Sequence, residues 1–243
     1  MGRIGAIIGI LIFPIFAAKA ASYDPIENYQ KAARYAFDKQ NLISLGLGAG
    51  AVLLSHQFDD DFRSSFSRQN RLNGSETIFN EYIGTGVPGA LLGAGFWWYG
   101  ARKGRSYEVH AGQAQLESIL ATGVLTFIIK GLTGRERPDG SDRYSFPSGH
   151  TSTVSASAMT LTEFYGWKAG VPAFAIVALT GLSRVSHDRH WLSDVLAGAT
   201  LGILVGHAVS RAHLDAFEGS ESSVAFFPVL ESNGGKFIFL YRF

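Results

Sequence analysis

Three clusters concentrate the cationic, imidazole and small hydroxylic side chains of this 243-residue sequence. The first is Lys130-Gly131-Leu132-Thr133-Gly134-Arg135-Glu136-Arg137-Pro138, where an apolar helical pattern runs into Lys130 and is ended by glycines and a proline. Lys130 and Arg137 lie two helical turns apart, so a fraying helix end aims both at one point. Each equally suits a cation that complements a helix C-terminus. The second cluster, Ser145-Phe146-Pro147-Ser148-Gly149-His150-Thr151, reads as a helix N-terminus. Free N–H groups there, with Gly149 admitting close backbone approach, make an anion site with His150 on its rim. An N-cap serine beside a surface histidine accounts for the same residues. The third cluster runs from Ser183 and Arg184 to Asp194 and sets His190 and Asp194 four apart, on one face of a continuing helix. A carboxylate on one imidazole nitrogen fixes the tautomer and leaves the other nitrogen free as base or nucleophile. A plain i,i+4 ion pair has the same spacing.

Taken together the clusters say more. Two histidines, a carboxylate, a lysine and two arginines at helix ends are what phosphoryl transfer without a metal needs. Cations and N–H groups surround the equatorial oxygens, one imidazole attacks, and a second group protonates the leaving oxygen. The joint pattern, Lys-x6-Arg-Pro, Pro-Ser-Gly-His and Ser-Arg-x5-His-x3-Asp, resembles the type 2 phosphatidic acid phosphatase superfamily. That superfamily includes lipid phosphatases, bacterial class A acid phosphatases and vanadium haloperoxidases. The resemblance covers Lys130 to Asp194 with every defining position filled in order, and it implies roles. Lys130, Arg137 and Arg184 grip phosphate oxygens with help from Ser148 and the Gly149 N–H. His190 attacks phosphorus to give a phosphohistidine, Asp194 orients it, and His150 protonates the departing alkoxide and then activates water. One departure is the short Asp139 to Phe146 segment between the first two motifs, which leaves little chain for a lid.

These clusters must be carried by helices. Pro25 to Gln40 suits an amphipathic surface helix. Five apolar helical stretches and one more polar follow, at Asn41 to Ser55, Tyr82 to Ala101, Leu116 to Lys130, His150 to Trp167, Ala169 to Val185 and Asp194 to Ser210, with polar linkers between, the longest being Phe58 to Asn80. The expected fold is all-α, an acid phosphatase/haloperoxidase-like bundle of about six core helices. After it, Val224 to Leu230 and Lys236 to Phe243 flank Asn233-Gly234, a hairpin signal. The domain reading is a signal peptide at 1–20, a helical phosphatase domain at 21–220, and a C-terminal β-hairpin at 221–243 packed on that domain. Arg3, the apolar run Ile4 to Phe16 and Ala18-Lys19-Ala20 supply the three parts of an export leader. Only Tyr82 to Ala101 reaches spanning length without a charge, and a mean hydropathy of +0.12 is low for six crossings. The expected setting is therefore the exported side of the cell envelope, soluble or resting on a membrane, with a multi-pass inner-membrane protein as the alternative.

Composition removes whole classes. With no cysteine, disulfides, thiolate zinc sites, iron–sulfur clusters and cysteine nucleophiles are excluded. A formal net charge of +1 gives no surplus to drive nucleic-acid binding. The leading expectation is a phosphatase that needs no cofactor or metal and acts on a lipid phosphate, phosphatidic acid-like, or another phosphomonoester. The alternatives are a vanadate-dependent haloperoxidase, a metal-dependent phosphohydrolase with His150, His187, Asp188, His190 and Asp194 as ligands, and a non-catalytic envelope protein with a phosphate-binding pocket. Arg135, Arg143 and Arg189 read as solvated surface charge. His187-Asp188 read as local hydrogen-bonders, and His56, His110, His207 and His213 as structural or exposed.

Overall fold

The computed structural model describes residues 24–66, 82–221, 224–231 and 234–241. In chain order its helices are α1 (Pro25–Tyr35), α2 (Lys39–His56), α3 (Asp59–Phe66), a 3-10 turn (Ile83–Thr85), α4 (Val87–Lys103), α5 (Ser106–Thr133), α6 (Gly149–Tyr165), α7 (Trp167–Ser186) and α8 (Leu192–Glu221). Local chemistry sets their ends. Asp24 accepts the Ile26 N–H at 2.8 Å ahead of Pro25, and Asp38 accepts the Asn41 N–H at 2.7 Å, each satisfying a donor that the first helical turn leaves open. Gly104 (φ 65°) and Gly134 (φ 54°) end α4 and α5 in left-handed conformation.

Eight α-helices among the described residues stand where a surface helix and six further stretches were expected, because the supposed linker after Phe58 folds into α3, which three aspartates open. The helices also outrun the sequence-based limits. α5 has 28 residues rather than the span from Leu116, because the polar His110 and Gln113 ahead of it point into the bundle and continue the helix. Three segments, Ser106–Thr133, Trp167–Ser186 and Leu192–Gly219, are long and apolar enough to cross a membrane by length and composition.

The distribution of side chains is inverted relative to a protein folded in water. Ser118, Thr122, Ser152, Ser155, Thr160, Thr180 and Ser210 are buried, while Leu47, Leu53, Leu91, Phe127, Leu132 and Val171 are exposed. Apolar exteriors of this extent mark a surface that meets lipid, and interiors of small and hydroxylic residues are how helices pack there. The expectation of a largely soluble domain gives way to a membrane-associated bundle.

α8 is the central helix, lying against α6, α5, α2 and α1. Its glycines recur every fourth residue on the face toward α6. A Cβ at Gly198 would come within 2.5 Å of the Ser148 carbonyl oxygen, one at Gly202 within 2.3 Å of the Ser152 oxygen, and one at Gly206 within 2.8 Å of the Ala156 oxygen. Backbone therefore lies on backbone along about two turns, and the N-terminus of α8 is held beside that of α6. At the opposite end, buried histidines and their carboxylate partners tie the same helices. His207 sits between Glu163 (2.7 Å) and Asp38 (2.9 Å), and His213 meets Glu117 at 3.1 Å and His110 at 3.3 Å.

Beyond α8, β1 (Val224–Glu231) and β2 (Gly234–Tyr241) run antiparallel, with Val224 opposite Tyr241 and Glu231 opposite Gly234. The packing expected of this pair on the helices, and the leader expected at 1–20, lie outside the described residues and side chains.

Candidate active site

The ends of α5 and α7 and the beginnings of α6 and α8 meet at one end of the bundle. Lys130, in the last turn of α5, donates from Nζ to the carbonyl oxygens of Tyr144 and, at 3.2 Å, Ser145. Its Cε lies 3.9 Å from where a Cβ on Gly149 would stand, so the ammonium reaches the first turn of α6. Ser148 is the N-cap of that 17-residue helix and is fully buried; Thr151 Oγ1 donates to its Oγ at 3.0 Å. Its own N–H donates to the Asp194 carbonyl oxygen at 3.0 Å, a direct tie between α6 and α8. His150 follows Gly149 in the first turn, half-buried.

The loop from 134 to 148 is short, as the sequence showed, and folds tightly on itself. Arg137 donates from Nε to Asp142 at 2.7 Å and from Nη1 to the Arg189 carbonyl at 2.9 Å. The Tyr144 N–H and then the Arg137 guanidinium hold the Asp142 carboxyl below its ordinary pKa. Between α7 and α8 the chain turns through Asp188, whose φ of 56° is left-handed, a conformation aspartate tolerates better than most residues. Arg63 Nε donates to the Asp188 side chain at 2.7 Å, and the Asp139 N–H donates to its carbonyl at 3.2 Å. That turn carries the chain from the buried Arg184, whose carbonyl accepts the His190 N–H at 3.3 Å, to His190 itself, only 2% exposed.

The two faces of the His190 ring differ. Nδ1 is 3.6 Å from Asp194 Oδ2, just beyond hydrogen-bonding distance, while Nε2 is 3.4 Å from Arg137 Nη1. Since Arg137 can only donate, Nε2 is the unprotonated nitrogen and Nδ1 carries the proton toward Asp194. Burial, reinforced by the charges of Lys130 and Arg184 and opposed by Asp194, pushes the imidazole down to about 4. At neutral pH the ring is uncharged and its Nε2 lone pair faces the cations.

The structure thus gathers Lys130, Arg137, Ser148, Gly149, Arg184, His190 and Asp194 at one end of the bundle, with His150 on the adjoining turn. The alternative metal set does not converge. His187 Nδ1 is 2.8 Å from the Ser183 carbonyl oxygen, Asp188 is paired with Arg63, and Asp194 accepts from Arg135, Ser145 and the Trp191 N–H. Among the described residues no three His, Asp or Glu side chains are placed to share an ion.

Sequence reasoning missed one group. Arg135 is no solvated charge: Nη1 donates to Asp194 Oδ1 at 2.6 Å and to Ser193 Oγ at 2.7 Å, and Nη2 to Asp59 Oδ2 at 2.7 Å. Asp59, read as part of a polar linker, is buried. The one local hint was a third cation two residues before Arg137. Arg189, by contrast, is half-exposed and pairs with Asp139 at 3.0 Å, and Arg143 donates to the Gly134 carbonyl from an exposed position.

Residues 113–218, which contain every motif position named above, match the family model of the PAP2 superfamily. The chain is 47% identical over 76 residues to a lipid A 1-phosphatase of Porphyromonas gingivalis, covering 30% of this chain and 17% of that one. It is 31% identical over 144 residues to a PA-phosphatase related-family protein of Dictyostelium discoideum, covering 47% and 53%. It therefore spans between about a sixth and about half of the length of these curated relatives. A crystal structure of a transmembrane PAP2 type phosphatidylglycerolphosphate phosphatase from Bacillus subtilis aligns over 82% of this chain and 97% of that one, at 21% identity and a TM-score of 0.42.

Proposed function

We propose that this chain, which belongs to the PAP2 superfamily through residues 113–218, is a lipid phosphate phosphohydrolase that works without a metal, through a phosphohistidine on His190. The observation that carries this is the asymmetry of the His190 ring, with Nε2 toward Arg137 and Nδ1 toward Asp194. A phosphate seated on the N-terminus of α6 has its equatorial oxygens met by Lys130, Arg137 and Arg184, with Ser148 and the Gly149 N–H completing the cup. His190 Nε2 forms a bond to phosphorus as the ester P–O bond breaks, and the leaving alkoxide takes a proton from His150. His150 then removes a proton from water, whose oxygen attacks the phosphohistidine, releasing phosphate and restoring the ring. Asp194 steadies the proton on Nδ1 throughout.

Two features support a lipid over a soluble ester. The bundle's exterior is apolar. An apolar groove of about 160 Å³ lies among α4, α6 and α7, lined in part by Val154, Ala158 and Leu161. Those residues stand four, eight and eleven positions beyond His150 and so on its face of α6. Relatives named as lipid phosphatases point the same way. The leader pattern of residues 1–20 supports an exported setting in the cell envelope.

The test is a phosphate-release panel with the purified protein in detergent: phosphatidic acid, phosphatidylglycerophosphate, a lipid A phosphate, an isoprenoid pyrophosphate and a soluble chromogenic ester, with and without chelator. Lipids are turned over faster than the soluble ester, chelator changes nothing, orthovanadate inhibits, and His190→Ala abolishes release. Full turnover by His190→Ala removes the mechanism, and activity lost to chelator and restored by a divalent ion selects a metal enzyme instead.

A further inference from the structure

Arg135 lies among the cations of the site yet takes no part in the cup. Both terminal nitrogens of its guanidinium are engaged, Nη1 by Ser193 Oγ and Asp194 Oδ1 and Nη2 by Asp59 Oδ2, with His56 Nδ1 at 3.3 Å, and its plane lies 5.5 Å over the Trp191 ring. Its side chain is 22% exposed, against 5% for Asp59 and none for Asp194. We propose that Arg135 and Asp59 are a positioning pair for the proposed hydrolase, holding the Asp194 carboxylate in the orientation that directs His190 Nε2 into the phosphate cup. The inference rests on the functional reading above.

The geometry shows how. Asp194 Oδ1 is taken by Arg135, while Oδ2 accepts from Ser145 Oγ and from the Trp191 N–H at 2.9 Å. The carboxylate is thus pinned from both sides, with one edge of Oδ2 left toward His190 Nδ1. Asp59 secures the outer end of the strut. Its Oδ1 accepts the Ser193 N–H at 2.9 Å and its Oδ2 accepts Ser193 Oγ at 2.6 Å, so α3 is fastened to the first turn of α8. Charge demands Asp59 as well. Arg135 alone would cancel the negative potential that Asp194 offers the ring as positive charge develops on it. With Asp59 the three side chains keep a net charge of −1, and that potential survives. Planar bidentate bridging of two carboxylates is work for a guanidinium that an ammonium cannot copy.

The test is Arg135→Lys, which keeps the charge and loses the fork, beside Asp59→Asn and Arg135→Ala, all assayed in detergent on whichever panel substrate the wild type turns over. The expected result is a kcat lowered roughly 10- to 100-fold with KM nearly unchanged, the signature of misplaced reacting atoms. Orthovanadate, which mimics the five-coordinate phosphorus, inhibits Arg135→Lys more weakly than wild type, while inorganic phosphate competes equally well. Added guanidinium restores part of the Arg135→Ala activity. A raised KM with kcat intact would make Arg135 a phosphate ligand and overturn the proposal, and so would wild-type kinetics in both Arg135→Lys and Asp59→Asn. If Arg135→Ala does not fold, Arg135→Lys and Asp59→Asn decide alone. His190→Ala separates the two readings: if it stays active, the functional reading falls; if it is dead while Arg135→Lys is unimpaired, only the positioning pair falls.

Discussion

A histidine that is to attack phosphorus must be uncharged, and His190 is kept so by burial and by neighbouring cations. The sign of the resulting pH dependence follows directly. The ring is neutral at every pH above about 4 rather than above its ordinary 6.5, so the acid limb of kcat/KM falls as pH drops through about 4. Asp194 raises the ring's pKa, so Asp194→Asn moves that limb lower while also reducing kcat; a wild-type limb near 6.5 would show that burial does not govern the ring. At this scale the sequence was most informative where spacing is local. Lys130 and Arg137 bracket one helix end, and His190 and Asp194 lie four apart, so their intervals announced their convergence, although His190 stands in the turn before α8 and not on its face as the spacing suggested. Arg135 was opaque for the opposite reason. Its partners Asp59 and Asp194 lie 76 and 59 residues away, and an arginine gives no sequence sign of which distant carboxylate it will meet.

Among the elements, the pairing of α6 with α8 decides whether the site exists. One supplies the N-terminus proposed to seat the phosphate and the other supplies Asp194, and their glycine-mediated contact sets the distance between them. Substituting alanine for a helical glycine ordinarily stabilises by about 0.5–1 kcal/mol. Gly50 in α2 has open space around it, so Gly50→Ala should raise the melting temperature or leave it unchanged. At Gly202 a Cβ would press on the Ser152 oxygen, which belongs to backbone and cannot swing aside. Gly202→Ala should therefore destabilise by about 1–3 kcal/mol and lower activity as the two helix ends part. Thermal melts of both variants in one detergent check the opposed signs. Helix positions were readable from apolar periodicity, but helix lengths were not. His110 and Gln113 look in sequence like polar linker ahead of an apolar stretch, and only the bundle reveals that they face inward. α3 escaped notice because three aspartates and an arginine in eight residues leave an apolar stripe of only Phe62 and Phe66.

For the molecule as a whole, the apolar exterior and polar interior argue for immersion in a bilayer. At about 1.5 Å per residue, α5 is about 42 Å long, more than the roughly 30 Å of a hydrocarbon core. The protein should stay with membranes through a sodium carbonate wash. Its lack of cysteine makes topology directly measurable. Arg102→Cys, at the α4–α5 turn, and Arg143→Cys, in the loop beside the site, should react with a membrane-impermeant maleimide from opposite faces. Release by carbonate, or labelling of both from one face, would return the chain to the membrane surface. The sequence reading leaned toward that surface because it measured apolar runs between charges, whereas a helix crossing as part of a bundle hides its charges against its neighbours.

The order of the elements carries one more consequence. Asp59 sits near the beginning of the chain, Arg135 in its middle and Asp194 at the head of the last helix, and these three meet. Before a ribosome reaches the head of α8, its nascent product holds Lys130, Arg135 and Arg137 with neither His190 nor Asp194 beside them. The proposed activity therefore switches on only once the head of α8 slots in against α3 and α5, and chains that stop short of it stay inert toward phosphate esters.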